Sequence, residues 1–203
     1  KFGGQVTIVA PDLEGMDDVL YTAAAKGADR LIKLTGDFEE GVNNHALARA
    51  FAATVKELQP DLILTGVQGN NDLDGSVGPL LAEYLGMSYV GYVAGVSLDG
   101  DKVSAQKEYP GGLIGEMEVK LPAVLGIQAA EEPPRYVAVS KVRQMMQTAS
   151  IEEQDISELD SNGGLETARM YLPEAAERAE MIMGDEEEIA AKLVEIFKEI
   201  GVI

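Results

Sequence analysis

The chain has 203 residues, of which 46% are hydrophobic and 25% charged, so it can bury one sizeable core and is expected to form one α/β domain with appendages. Its 35 acidic and 16 basic residues give a formal net charge of −19, which repels phosphate polymers and anionic lipid surfaces and argues against nucleic-acid and membrane roles. There is no Cys and no apolar run of about 18 residues, which excludes disulfides, thiolate metal sites and iron–sulfur clusters and predicts a soluble protein.

The first half of the sequence alternates strand and helix patterns. Short buried strands are predicted at Gln5–Ala10 and Leu31–Leu34, with a helix between them. A second helix follows the cap candidates Asn43 and Asn44, and the next strand covers Asp61–Gly66. The apolar residues at helical spacing are, for three helices in turn, Val19, Leu20, Ala23 and Ala24; Leu47, Ala50, Phe51, Thr54, Val55 and Leu58; and Val77, Leu80, Leu81, Tyr84 and Leu85. Repeated strand–helix units predict a parallel twisted sheet flanked by helices, of the Rossmann-like α/β class.

The second half changes pattern. Strand-like runs at Ser88–Leu98, Lys102–Tyr109 and Glu116–Ile127 are separated by turn signals and predict antiparallel hairpin additions to the sheet. From Glu131 to Pro173 the periodicity fades, so an irregular acidic arm is expected, followed by a helix from about Asp185 to Ile200 with one apolar face. The predicted division is an α/β domain at residues 1–130 and a C-terminal arm and helix at residues 131–203.

The segment Gly66–Pro79, GVQGNNDLDGSVGP, is a long connection between a strand and a helix. A loop at this place usually has about 2 to 6 residues, and in open parallel sheets ligands bind beyond the carboxyl ends of the strands. Free amides at a helix start suit an anion, and Gly75 and Gly78 would let a phosphate approach the backbone. Polar side chains expected to orient the loop or touch a ribose hydroxyl are Asn70, Asn71, Asp72 and Asp74. The alternative is a plain crossover in which Asp74 caps the helix.

Several motifs, in order along the chain, resemble those of electron-transfer flavoprotein β subunits. They are the loop just described, AAAKGADRLIKL at Ala23–Leu34, KEYPGGLIGEMEVKLPAV at Lys107–Val124, EPPRY at Glu132–Tyr136 and KEIGVI at Lys198–Ile203. The resemblance spans almost the whole chain and implies an adenine nucleotide α hydrolase-like fold. It also implies an electron-carrier subunit with no catalytic residues of its own.

The resemblance implies a set of cofactors and partners. The chain would bind AMP, or FAD in an electron-bifurcating form, and pair with an α subunit that carries most of the contacts to the electron-shuttling FAD. The complex would accept electrons from flavin dehydrogenases, and we expect it in the cytoplasm of a prokaryote, with the mitochondrial matrix as the alternative. The nucleotide-binding residues carried over by position are Ala10, Pro11, Gly66, Val67, Gln68, Gly69, Asn70, Asn71, Asp72, Asp74, Gly75, Ser76, Val77 and Gly78, with the phosphate expected at Gly75 and Ser76.

The sequence departs from the family pattern at several places. The family's leucine anchor for partner recognition is Val139 here, and Gln and Met replace a lysine cluster, so the dehydrogenase served is expected to differ. An apolar patch with Val139 and Val142 is the predicted docking site, although a buried helix face explains these residues about as well. Pro110 stands where the family usually has Asp, and Gly126 replaces a small polar residue. No counterpart of the family's first strand and helix precedes Phe2, so this N-terminal part is expected to be missing here.

Two other functions suit the same scaffold: an ATP-using enzyme and a universal-stress-like nucleotide sensor. An enzyme would favour a catalytic Lys, Ser or Thr in the loop, where residues 66–78 offer only Ser76, and the long arm disfavours the sensor. The single His45 lies in no Ser or Cys motif, and Asp72 with Asp74 does not complete a metal site, so neither a catalytic centre nor a metal is predicted. Any electron chemistry must then belong to an organic cofactor.

Overall fold

The structure is a computed structural model that describes residues 3–38, 42–69, 72, 74–100, 102–130, 132–156, 160, 162–165, 168–173 and 179–203. The chain forms two compact units, Lys1–Thr167 and Ala168–Ile203. Among the described residues, no helix has both the length and the apolar character needed to cross a membrane.

Three strand–helix units open the first unit. Their elements are β1 (Thr7–Pro11), α1 (Met16–Lys26), β2 (Arg30–Thr35), α2 (Asn44–Leu58), β3 (Leu62–Gly66) and α3 (Val77–Leu85). Asn43 is the N-cap of α2, and its Oδ1 accepts the Ala46 N–H at 3.0 Å. Gly86 ends α3 in a left-handed conformation. The alternation of strands and helices predicted from hydrophobic spacing is thereby confirmed.

The strands form two sheets. The remaining elements of the first unit are β4 (Ser88–Asp99), β5 (Lys102–Tyr109), β6 (Leu113–Lys120), β7 (Ala123–Ile127), α4 (Val139–Thr148) and β8 (Ile151–Asp155). A three-stranded parallel sheet has the order β1-β2-β8. A five-stranded sheet has the order β3-β7-β4-β5-β6, in which β7 is parallel to both of its neighbours and β5 is antiparallel to both of its own. The predicted class, a parallel-dominated sheet structure with helices and antiparallel hairpin additions, is confirmed.

The prediction of a single strand-like run at Glu116–Ile127 was wrong. The run is divided into β6 and β7 at Leu121 and Pro122, because proline has no N–H to donate to a strand ladder. After this break the chain returns to the middle of the sheet, and β7 inserts between β3 and β4 in parallel rather than continuing the antiparallel meander.

The stretch predicted to be an irregular arm contains regular structure in its first part. Helix α4 packs against α1, and β8 extends the three-stranded sheet beside β2. Strand β8 has the sequence IEEQD, and ion pairs with β2 accompany its parallel ladder. The Arg30 guanidinium donates two hydrogen bonds of 2.7 Å to the Glu152 carboxylate.

Helix α2 packs into two hydrophobic clusters, one on each sheet. Towards the three-stranded sheet, the cluster of buried residues is Ile32, Leu34, Phe38 and Ala50, with Val9, Leu47 and Phe51 partly buried against it. Towards α3 and β3, the buried residues are Ala48, Ala52 and Leu81, with Ile63, Leu80 and Tyr84 partly buried. The side chains of Ala48 and Ala52 are small, which lets α2 approach α3 closely. Helix α2 is therefore the element common to both layers of the first unit.

The second unit contains one regular element, helix α5 (Glu186–Glu199), in its described part. The predicted helix is confirmed, and it begins with a capping box: Asp185 accepts the Glu188 N–H at 2.9 Å, and Glu188 accepts the Asp185 N–H. Large apolar side chains of this unit are highly exposed: Met170, Tyr171, Leu172, Met181 and Met183.

Candidate functional site

The residues predicted to bind a nucleotide lie at the ends of two strands in different sheets. Ala10 is buried and Pro11 half-buried at the end of β1, where Pro11 pairs with Leu34 of β2. Gly66 is exposed at the end of β3, where it pairs with Ile127 of β7. Among the described residues, no hydrogen bond joins Ala10 or Pro11 to the loop after Gly66, so a shared site for the two groups stays a prediction.

The described part of the loop is organised around two carboxylates. Asp72 Oδ1 accepts the backbone N–H groups of Asp74 and Gly75, both at 3.1 Å. Asp74 Oδ1 accepts the Ser76 N–H at 3.3 Å and the Ser76 hydroxyl at 2.9 Å. The N–H groups of the three consecutive residues 74–76 therefore all donate to carboxylate oxygens. Backbone concavities that bind phosphate present their N–H groups in the same way.

Asn44, the first residue of α2, holds both carboxylates from outside the loop. Its Nδ2 donates to Asp72 Oδ1 at 2.7 Å and also to Asp74 Oδ1. Sequence reasoning did not include Asn44 in the site, because it treated the Asn43-Asn44 pair as two candidates for one helix cap. Only Asn43 caps the helix. A helix needs one N-cap, so the presence of a second Asn could have indicated that Asn44 has a different role.

The amides expected to receive a phosphate are thus occupied by the loop's own carboxylates. Ser76 is the N-cap of α3 and makes no capping bond with its side chain, and Asp74 bonds to Ser76 itself. No hydrogen bond to the Val77 or Gly78 N–H is found among the described residues. Asn70 and Asn71, which were also predicted to bind, lie outside the described residues. The phosphate position therefore stays a prediction.

Gly75 and Gly78 have a packing role in the loop itself. Gly75 has φ +63°, and a Cβ there would lie 2.7 Å from the Val67 carbonyl oxygen. A Cβ on Gly78 would lie 2.8 Å from Thr65 Oγ1 and 3.0 Å from the Tyr89 ring. Thr65 Oγ1 is buried at the end of β3 and has no hydrogen-bond partner among the described residues. Any larger side chain at these two glycines would displace the loop from the end of β3.

The pKa of Asp72 lies below that of an ordinary aspartate. Burial raises this pKa, but the hydrogen bonds from Asn44, Gly75 and Asp74 together lower it by more. A carboxylate whose pKa is lower in the folded chain adds stability above its unfolded pKa of about 3.9, and loses that contribution as the pH falls through the folded value.

The variant Asp72→Asn is expected to lower the free energy of unfolding by about 1 to 2 kcal/mol at pH 7, because hydrogen bonds to a charged acceptor are stronger than those to an amide oxygen. The difference between wild type and variant should shrink as the pH falls through the lowered pKa of Asp72, because the carboxylate is then protonated. Urea unfolding at a series of pH values measures this difference. A constant difference over the whole range would contradict the assigned role of the Asp72 charge.

The end of β1 lies beside a second group of charges. The nearly buried Lys33 Nζ lies 3.1 Å from Asp17 Oδ1, 3.3 Å from Glu153 Oε1 and 3.6 Å from Asp12 Oδ1. The hydrogen bond to Asp17 raises the pKa of Lys33 above its ordinary value. Three carboxylates around one ammonium leave this edge negative, and no group of three or more His, Asp or Glu side chains in the described part of the chain is arranged to hold a metal ion.

The residues predicted to recognise a partner lie on α4. Val139, its first residue, is 61% exposed, whereas Val142 is half-buried on the helix that packs against α1. Met146 is exposed and Met145 half-buried. The group is therefore divided between an outer and an inner side of α4, and its docking role stays a prediction.

Comparison with known proteins identifies the family. The family model described as the electron transfer flavoprotein domain matches residues 1–159. The electron transfer flavoprotein subunit beta of Methylophilus methylotrophus is 32% identical over 205 residues, covering 96% of this chain and 77% of that protein. The protein of the same name from Clostridium acetobutylicum is 32% identical over 142 residues, covering 70% of this chain and 54% of that protein. The FixA protein of Azorhizobium caulinodans is 29% identical over 216 residues, covering 98% of this chain and 76% of that protein. The chain thus belongs to the electron transfer flavoprotein family, as one of its β subunits.

Proposed function

We propose that this chain binds an adenine nucleotide at the end of β3 and, paired with an FAD-carrying α subunit, passes on electrons taken from flavin dehydrogenases. The observation that carries the nucleotide part is the convergence of the amides of residues 74–76 on anionic oxygens. These donors follow a parallel strand, which is where α/β folds bind phosphate groups.

The residues present suit an adenine nucleotide with few charges. The loop backbone already surrounds carboxylate oxygens, which have the hydrogen-bonding chemistry of a phosphate oxygen. The loop from residue 66 to residue 78 contains no Lys or Arg, so it offers no side-chain cation to a triphosphate. AMP and the diphosphate of FAD are both suitable ligands on this ground.

The cofactor and the protein have different parts in the proposed function. A bound flavin supplies the electron transfer, while this chain binds and orients the nucleotide. Ser76 is the hydroxyl that an ATP-using enzyme would employ in this loop, and its Oγ donates to Asp74 rather than standing free. This contact gives the Ser76 hydroxyl a part in the loop's own hydrogen bonding.

The partner surface is proposed to lie on residues 131–203, and Val139 and Val142 of α4 are the recognition residues within it. Met170 is 89% and Leu172 93% exposed, and an isolated monomer would leave such large apolar side chains in water. Burying them against an α subunit would remove that apolar surface from solvent. Domain boundaries at residues 1–130 and 131–203 are part of the same proposal.

Purification of the αβ complex, followed by release and counting of its nucleotides, tests the function. We expect either one flavin and one AMP per αβ pair, as in a simple carrier, or two flavins, as in a bifurcating form. A complex that contains no adenine nucleotide attributable to this chain, and that takes up neither AMP nor FAD in an equilibrium titration, would contradict the proposal. A chain that shows no association with an α subunit would contradict its partner half.

A further inference from the structure

The first turns of α2 contact a second segment besides the loop. The described residues of this segment, called here the Asp160–Leu165 segment, are Asp160 and Asn162–Leu165. The Arg49 guanidinium donates to the Asp160 carbonyl at 2.5 and 3.2 Å and to the Asn162 carbonyl at 2.5 Å. It also lies 3.5 Å from the Asp160 carboxylate. One side chain of α2 thus fixes the backbone of a segment more than one hundred residues away.

The same segment packs tightly against the start of α2. Gly164 has φ +88°, and a Cβ added to it would lie 3.1 Å from atoms of both Asn43 and His45. Asn43 and His45 flank Asn44 in the sequence, and Asn44 holds the two loop carboxylates. On the neighbouring helix α3, the Tyr84 hydroxyl accepts a hydrogen bond from Arg49 at 3.2 Å and lies 3.3 Å from His45 Nδ1. The start of α2, from its N-cap Asn43 to Arg49, therefore contacts both the loop and the Asp160–Leu165 segment.

We infer that nucleotide binding at the loop loosens the Asp160–Leu165 segment, through the first turn of α2. The inference rests on the proposed function, since it takes the loop to be the nucleotide site. The carboxylates of Asp72 and Asp74 accept hydrogen bonds from the N–H groups of residues 74–76, and a phosphate would accept from the same groups. A phosphate at this place would lie beside the two carboxylates, and like charges repel. A bound phosphate therefore drives the carboxylates off these amides, which supplies the two arrangements that energetic coupling requires.

Asn44 carries the change to the segment. With the carboxylates displaced, the amide group of Asn44 loses its two acceptors and the start of α2 loses an anchor. The contact of Asn43 and His45 with Gly164 then has less support, while the hydrogen bonds from Arg49 to the Asp160 and Asn162 carbonyls remain. Because coupling between two sites is reciprocal, the nucleotide must bind the loosened form more tightly than the packed form by the same factor, and a change that favours the loosened form strengthens binding by at most this factor.

The experiment uses the full-length chain in its native complex, with AMP as the probe. Hydrogen exchange of the peptide spanning Asp160–Leu165 is measured with and without saturating AMP, and the affinity for AMP is measured on the same samples by calorimetry. In wild type we expect exchange of this peptide to accelerate about tenfold on AMP binding, within the usual range of allosteric coupling. The hairpin of β5 and β6 serves as the internal reference and should not change.

Two variants test the route. Arg49→Lys keeps the charge but cannot form the forked bonds to both carbonyls, so it should strengthen AMP binding about fivefold. The matched control Arg30→Lys, at the ion pair with Glu152, should leave the affinity unchanged. Asn44→Ala removes the anchor before AMP is added, so exchange of the Asp160–Leu165 peptide should already be fast in the free variant and should not accelerate further with saturating AMP. Circular dichroism establishes that each variant is folded.

The outcomes separate this inference from the proposed function. If AMP binds to wild type and the peptide's exchange is unchanged or slowed, or if Arg49→Lys binds AMP no more tightly than Arg30→Lys does, the coupling is overturned while nucleotide binding stands. If wild type and all variants fail to take up both AMP and FAD, the proposed function itself fails.

Discussion

Replacing Gly75 by Ala is expected to lower the affinity for AMP about thirtyfold while the chain stays folded. Gly75 has φ +63°, a conformation that costs an L residue about 1 to 2 kcal/mol. A Cβ would also lie 2.7 Å from the Val67 carbonyl oxygen. This oxygen belongs to the backbone, so it cannot move away by a side-chain rotation. The loop would relieve both by moving the amides of residues 74–76 apart, and about 2 kcal/mol of lost binding corresponds to about thirtyfold in Kd. Isothermal titration with AMP measures the change.

The matched control is Gly86→Ala at the end of α3. Gly86 has nearly the same conformation, with φ +66°, but a Cβ there would meet no atom within 4 Å. This variant should therefore show the strain in its thermal stability and bind AMP with wild-type affinity. If Gly75→Ala binds AMP as tightly as Gly86→Ala does, the amides of residues 74–76 are not the anion-binding group.

Replacing Gly126 by Ala is expected to destabilise the five-stranded sheet by about 1 to 3 kcal/mol, the usual cost of overpacking a core. Gly126 is buried on β7, and a Cβ there would lie 2.6 Å from the Tyr89 hydroxyl oxygen of β4. Burial also raises the pKa of the Tyr89 phenol above its ordinary value. In a chain of this size the melting temperature should fall by about 2 to 10 °C.

The variant Tyr89→Phe should rescue Gly126→Ala, because it removes the atom responsible. The next nearest atoms are the Gly91 Cα at 3.3 Å and the Tyr89 Cζ at 3.4 Å, which are tolerable with small shifts. Gly91→Ala is the control, because ring carbons at 3.1 and 3.2 Å would remain after the hydroxyl is gone. A double-mutant cycle from urea unfolding should therefore give a favourable coupling energy for Gly126 with Tyr89 and a much smaller one for Gly91. Equal couplings would show that the hydroxyl contact is not the cause.

Local sequence signals were sufficient for the elements that make their own patterns. The strands and helices from β1 to α3 carry apolar residues at regular spacing, and Asn43 and Gly86 bound their helices with capping chemistry. Helix α4 was missed because its N-cap, Ala138, makes no side-chain capping bond and none of its residues is fully buried. Its apolar side chains were as well explained by a docking patch as by a helix face.

Local sequence signals could not predict the elements whose position depends on residues far away in the sequence. Strand β8 is acidic and short, and Arg30 and Lys33 of β2 stabilise it by contacts that no local pattern records. Strand β7 inserts in parallel between β3 and β4. The turn signals in the sequence predict pairing only between strands that follow one another along the chain. Within the site, the loop could be located from its length and glycines, but the orientation of Asp72 and Asp74 depends on Asn44, which lies 28 and 30 residues earlier.

Helix α2 has a consequence for how the first unit loses its structure. In the described part of the chain no backbone ladder joins β1 to β3, whereas α2 packs against residues of both sheets. The two hydrophobic clusters share this single helix, and stripping it from one sheet would expose apolar surface on the other. Loss of α2 would therefore uncover apolar side chains of both clusters at once, which couples the opening of one sheet to that of the other.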